Sequence, residues 1–591
     1  MTALNILSVS GFLLFVGLAA RNLVAALSQQ GIADRIHKIA LIGEILIVSL
    51  SGFLALIGCY APIYLLVAGA SAYLVSRSIG RRYANRETKS TRVRSANPEV
   101  TSRPDSWSSF ALVFVGTAAV IVLAWNVRND FFGSEKRMII GDDAAYHVPI
   151  VLNLERHRSL WFPLEDYQID VPDVGVHSGN DARIFFPLNH ELLVALARFA
   201  SGPAVEFMRV INYLLMFHLI LAIYCLLKLA VESNATTSMI ALACFVLPVF
   251  QGRFLPGQIS VFGNLNNDLF VTLLVLSGVY LAIEQWCDME AGSSAPRLHS
   301  NALLLGTIIL VAVGTKWYAA LYSLVLQILF FIPVVVDKCW RDLKIIKLAL
   351  TLCLVAIVTN GALVRNVAYF GAVSADFHAV ASSLQPLAFL VLSTGEPFAE
   401  IGQLVQRAMV THGGGLSVVF PAFVMLQAFR YVLLICREPQ TPFRAIVEMR
   451  PVVLGVLSGL IGCTMLVLFF AIPFAGGWPY FPTTVRYAMP AFVLFHCAVL
   501  TLHGQETRWV FWKSSRTRVR QQKVLGHPEF RNAASKNRPP LVPIILIASA
   551  SVSLMQYFLF RHAALLIGAA SVVSIVVLTI RSRICYGWRG L

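Results

Sequence analysis

Two adjacent carboxylates, Asp142 and Asp143, open the run Gly141-Asp142-Asp143-Ala144-Ala145-Tyr146-His147, about a dozen residues after an apolar segment that closes near Val127. Four cationic or acidic landmarks stand at the edges of other apolar runs. They are Asp268 (in Asn264-Leu265-Asn266-Asn267-Asp268), Lys316 (in Gly314-Thr315-Lys316-Trp317-Tyr318), Arg365 (followed by Asn366) and Arg486 (in Thr484-Val485-Arg486-Tyr487). A carboxylate can take the proton from a hydroxyl as that hydroxyl attacks, which is general-base catalysis. Lys and Arg can hold a phosphate leaving group and neutralise the charge that develops on it. Acids and cations gathered at one membrane face are therefore suited to group transfer from a lipid-linked phosphate. Chemistry driven by ATP would call for a glycine-rich phosphate-cradling loop, and the sequence has none.

These residues need a scaffold, and composition specifies its class. Of 591 residues, 57% are hydrophobic and 13% charged, against about 25% charged in a soluble domain. The chain reads as an all-α polytopic membrane protein of about 13–15 spans, each needing roughly 20 apolar residues. The net charge of +16 does not point to nucleic acid, because the basic residues cluster in short loops between apolar spans, as orientation signals do. The ten cysteines fall mostly inside apolar runs, as Cys225, Cys244, Cys353 and Cys463 do, with no disulfide framework.

Taken in order, residues 1–79 hold three spans (near 3–27, 39–58 and 62–79) that are expected to be accessory, since every candidate site residue comes later. A basic linker follows at 80–107. A catalytic core is expected over 108–503, with outer loops at 128–205 and 364–415. Beyond it lie a basic loop at 504–541 and a C-terminal hairpin and tail at 542–591. Loop 128–205 carries eleven acids against seven Lys/Arg, the reverse of the bias in the basic segments. Alternation from the linker places 337–347, 504–541 and the tail in the cytoplasm, all three basic. Short amphipathic helices are expected around Tyr146–Leu154 and Glu191–Phe199. Further spans are expected near 206–230, 237–253, 265–284, 302–315, 318–336, 343–363, 416–436, 451–472, 485–503, 542–560 and 563–581. By this alternation Asp142, Asp268, Lys316, Arg365 and Arg486 all stand at the non-cytoplasmic face.

That order of motifs resembles the GT-C superfamily of integral membrane glycosyltransferases, which includes protein O-mannosyltransferases and the aminoarabinose transferases of lipid A. The resemblance covers about 108–503. It rests on Asp142-Asp143 with Tyr146-His147-Val148-Pro149, on Asp268, on Arg365-Asn366 and on Arg486-Tyr487-Ala488-Met489-Pro490. The chain departs from the family in three ways: three spans and a linker precede the core, the first acid pair is Asp-Asp, and no Asn-Pro follows Arg365-Asn366. The resemblance implies a polyprenyl-phosphate-linked sugar as donor and a hydroxyl on a glycan, lipid or protein as acceptor. It implies inversion at the anomeric carbon and a site on the periplasmic side of a bacterial inner membrane, among membrane lipids. Asp142, Asp143 and Asp268 would be the catalytic acids, with Asp142 the base. Arg486, Lys316, Arg365, Tyr487, His147 and Tyr146 would bind the donor. A divalent cation, Mg or Mn, held by Asp143 or Asp268, is compatible with it.

Blander readings exist for each residue. Asp142 and Asp268 are good helix caps, Lys316 and Arg365 could snorkel to the interface, and Tyr146 and His147 could pack there. Glu165, Asp166, Asp170, Asp173 and Asp181 do not have the spacing of a calcium loop. Two rival functions are a transporter or lipid flippase, which would want charges near the middle of spans, and a glycan polymerase or ligase.

Overall fold

The computed structural model describes residues 2–24, 27, 31–87, 127, 147–162, 187–201, 205–229, 267–290, 295–316, 319–336, 344–370, 490, 493 and 494. Among them all regular structure is helical: α1 (Thr2–Val24), α2 (Ile32–Leu56), α3 (Pro62–Glu87), α4 (Val148–His157), α5 (Asn189–Ser201), a 3-10 turn (Val205–Arg209), α6 (Val210–Lys228), α7 (Asp268–Glu290), α8 (Ala295–Val313), α9 (Ala319–Val336), α10 (Ile345–Thr359) and α11 (Gly361–Phe370). A spanning segment has no water to satisfy its N–H and C=O groups, so an apolar run of this length folds as helix. Five of these helices are long and apolar enough to cross a membrane, or six if α10 and α11 are one bent span. The protein is an integral membrane protein. The expected spans near 108–127, 237–253, 416–436, 451–472, 485–503, 542–560 and 563–581 lie outside the described residues or almost wholly so, as do the loops 364–415 (beyond Phe370) and 504–541.

Helix α7 is the axis of the described bundle. Its segment Asp268–Gln285 is wholly buried, and it packs against α6, α8 and α9. Helix α2 is a second hub, touching α1, α5, α6, α10 and α11. Its far end is tied to the short helices: Leu160 N–H donates to Ala55 O at 2.8 Å and Tyr60 N–H to Arg158 O at 2.8 Å, and Tyr60 Oη donates to Leu192 O at 2.9 Å. The three N-terminal helices, expected to be accessory to activity, are thus joined to the rest through α2 and through α1, which packs on α5. Helices α1 and α3 pack closely, because a Cβ at Gly69 would come within 2.8 Å of the Phe12 ring. Without a hydrophobic drive between helices in lipid, such small residues let dispersion contacts form. The exposed Leu4, Leu7, Leu14, Leu350 and Leu354 suit contact with acyl chains.

The structure departs from the sequence expectation in two instructive places. The second span begins at Ile32 rather than near residue 39, so Asp34, His37 and Lys38 lie in helix and are buried. The span expected over 343–363 breaks after Thr359 into α10 and α11, bent by 77°. Asn360 caps the first piece, its N–H donating to Ala356 O at 3.0 Å.

The buried polar face of α2 meets partners far away in sequence. Lys38 Nζ lies 2.9 Å from Asp34 Oδ1 and 2.7 Å from Glu284 Oε1 on α7. Tyr280 Oη donates to Asp34 Oδ1 at 2.8 Å. Farther along α2, Glu44 Oε1 is 2.7 Å from His218 Nδ1 on α6, and His218 Nε2 is 2.9 Å from His37 Nδ1. Whereas the landmarks singled out from sequence stand at the edges of apolar runs, Glu44 and His218 lie well inside their helices. Pairing is what makes such groups tolerable in an apolar bundle.

Candidate functional site

At the opposite end of α7 from Glu284, roughly 24 Å away at 1.5 Å per residue, a second polar group assembles. Asp268 opens α7, where a carboxylate favours the positive end of the helix dipole. Neighbouring Asn267 donates from Nδ2 to Thr315 O at 3.0 Å, which fastens the start of α7 to the turn between α8 and α9. That turn carries Lys316, whose Nζ lies 2.8 Å from Asp268 Oδ1. The Asp268 side chain is 1% exposed and that of Lys316 19%, so the cation keeps a path outward while its partner does not.

The amphipathic helices α4 and α5 join the same end. Their apolar faces pack together, with Arg198 Nε on Glu155 Oε2 at 2.9 Å at the rim. His147 immediately precedes α4, and His190 and Glu191 sit in the first turn of α5. His147 Nδ1 is 2.7 Å from Glu191 Oε1, and His190 Nε2 is 3.0 Å from Asn212 Oδ1 at the head of α6. All three residues are buried. Burial pushes the His190 pKa down to about 4, against the pull of Glu191, while His147 and Lys316 lower it further. Burial alone would raise the Glu191 carboxyl, but the hydrogen bond and charge of His147, with His190 beside it, outweigh that and hold it below its ordinary value.

Gly314 is where these pieces converge. Asn189 N–H donates to Gly314 O at 3.1 Å and Asn189 Nδ2 to Val311 O at 3.1 Å. A Cβ at Gly314 would collide with Asn360 Oδ1 and Asn189 Nδ2. The absence of a side chain thus lets α5, the end of α8 and the break between α10 and α11 come together.

Of the residues singled out from sequence, the structure unites Asp268 with Lys316 as an ion pair. Lys316 acts electrostatically on His190, which stands beside His147 with ring centroids 6.1 Å apart. Arg365 lies on α11 just past the Asn360 break and is 1% exposed; its Nε and Nη2 lie 3.1 and 2.6 Å from Asn366 Oδ1. Asp142, Asp143, Tyr146, Arg486 and Tyr487 lie outside the described residues.

Sequence reasoning passed over His190, Asn189, Asn212 and Asn360, and took Glu191 only as a helix start. The run Asn189-His190-Glu191 ahead of Leu192-Leu193-Val194 was the available signal, since three buried polar residues at the head of an apolar helix need partners. His147, His190 and Glu191 are also the one group of three metal-ligating side chains found among the described residues. Comparisons with family models, curated proteins and solved structures find no match for this chain.

Proposed function

We propose that this protein is a GT-C-type membrane glycosyltransferase that moves a sugar from a polyprenyl-phosphate donor to a hydroxyl acceptor, with inversion. The observation that supports it best is the Asp268–Lys316 pair, 2.8 Å apart, at the bundle end that also carries His147, Glu191 and Arg365. Lys316 is held by a buried carboxylate and stays partly exposed, which suits a cation that meets a donor phosphate without rearranging. Asp142, five residues before His147, supplies the base in this reading, and Arg486 the second phosphate contact. Arg365, buried against Asn366, is better suited to holding the α10–α11 break than to touching donor. The reading takes the periplasmic face of a bacterial inner membrane as the side of reaction.

The test is transfer by purified full-length protein in nanodiscs, offered radiolabelled polyprenyl-phosphate sugars and membrane extract as acceptor. Labelled product that disappears with Asp142→Asn and weakens with Lys316→Met supports the reading. No transfer from any donor, together with no co-purified polyprenyl-phosphate sugar by mass spectrometry, overturns it.

The Glu44–His218–His37 chain favours one alternative, a proton-coupled transporter. Carboxylate and imidazoles hydrogen-bonded in series within spanning helices can pass a proton. Proton flux through proteoliposomes that is lost in His218→Phe, with no sugar transfer, would select it.

A further inference from the structure

We propose that His147, His190 and Glu191 form a binding site for one divalent transition-metal ion of the zinc or manganese kind. The three side chains come from two separate elements, the start of α4 and the first turn of α5, and each offers a ligand atom within 4.8 Å of the others. His190 and Glu191 are fully buried and His147 is 4% exposed.

Two atoms in this cluster stand without a hydrogen-bond partner: His190 Nδ1 and Glu191 Oε2. Buried polar atoms are nearly always satisfied, and an unsatisfied one calls for an explanation. Here the two come from adjacent residues of one cluster, beside a third ligand type. The rest of the arrangement has the form that ligands take. The Nε2 of His190 faces the Asn212 amide oxygen at 3.0 Å. With the proton on Nε2, the lone pair of Nδ1 is left for a cation; metal-binding imidazoles are usually oriented by such an outer partner. The Nδ1 of His147 and the Oε1 of Glu191, 2.7 Å apart, hold those two groups in register.

Charge agrees as well. Lys316 is close enough to act on His190, but Asp268 neutralises it at 2.8 Å. What remains is two imidazoles and one carboxylate, a set that accepts a dication. Two nitrogens and one oxygen suit zinc, manganese, iron or cobalt rather than magnesium or calcium, which prefer oxygen alone. Three protein ligands leave a coordination position for water or another ligand, as catalytic rather than structural sites do. The site does not depend on the transferase reading, and its test does not measure transfer.

Full-length protein carrying an affinity tag free of histidine would be stripped with a chelator, reloaded with Zn²⁺ or Mn²⁺ and desalted. Elemental mass spectrometry should find about one ion per chain, and Mg²⁺ in excess should not displace it. Glu191→Gln and His190→Ala should lose that ion, while Glu155→Gln at the rim keeps it. To separate loss of the ion from loss of the fold, the wild-type protein supplies a second reading: X-ray absorption of the zinc-loaded form should show two imidazoles in the coordination shell. Less than a tenth of an ion per chain, the same content in folded Glu191→Gln, or a shell without imidazole overturns the proposal.

Discussion

His190 shows how one buried side chain couples the site to pH. In the metal-free protein burial holds its pKa at about 4, whereas an unfolded chain's histidine titrates near 6.5. As pH falls the unfolded chain therefore binds its proton first. The stability that the neutral imidazole represents is complete above about pH 6.5 and is lost as pH drops toward 4, amounting to roughly 3 kcal/mol. The lowered Glu191 carboxyl acts in the same direction at still lower pH. His190→Gln should flatten the fall of the apparent melting temperature between pH 6.5 and 4; an unchanged slope assigns the acid sensitivity to other groups. At the same scale, Asp142→Asn tests the base. General-base catalysis is worth about 10²–10⁴ in rate, so turnover should fall by that order while donor binding persists. If Asp142 were only an N-cap, Asn would cap equally well and turnover would survive. Gly314→Ala is expected to lower the melting temperature, since its methyl would displace Asn189 or Asn360.

At the scale of elements, α2 carries the ionic face that sequence left outside the span. The run Asp34-Arg35-Ile36-His37-Lys38 ended the apolar stretch when read from one chain segment, and nothing local announced Glu284 or His218 as partners. In the fold Asp34 and Lys38 meet α7 and His37 meets α6, and pairing over 246 positions turns a break in hydropathy into an interior contact. The α10–α11 break is the reverse case: Asn360-Gly361 was a visible helix-stop signal inside a run apolar enough to be read as one span. Lys38 is 1% exposed between two carboxylates, so Lys38→Met should leave Asp34 and Glu284 uncompensated. Removing one partner of a buried pair costs about 3–5 kcal/mol, whereas replacing the whole group with apolar residues is often neutral. Lys38→Met should therefore lower the melting temperature sharply, and the triple change with Asp34→Leu and Glu284→Leu should restore most of it. Equal stability of the single variant and the parent would show that Lys38 does not hold α2 to α7.

Over the described part of the molecule, helix class and most helix positions were legible because lipid leaves the backbone few alternatives, and both amphipathic helices stand where the apolar periodicity put them. The junction of Asp268 with Lys316 was foreseen only as a shared face. The distance between them, and the joining of His190 to Asn212, depend on packing that no local pattern encodes. The place of the N-terminal helices is likewise a matter of packing. The sequence makes residues 1–79 accessory, since every candidate follows the linker. In the fold, α2 lends Lys38 to Glu284, Glu44 to His218 and the Ala55 carbonyl of its last turn to Leu160, just past α4. Deleting residues 1–103 would expose the charged face of α7 and strip α5 of the Tyr60 contact to Leu192 O. We expect the shortened protein to insert yet fail to give a monodisperse species in detergent. Co-expression of residues 1–103 as a separate fragment should rescue it, because the contacts are noncovalent and the linker carries none of those described. A monodisperse shortened protein with full activity would make the N-terminal helices accessory after all.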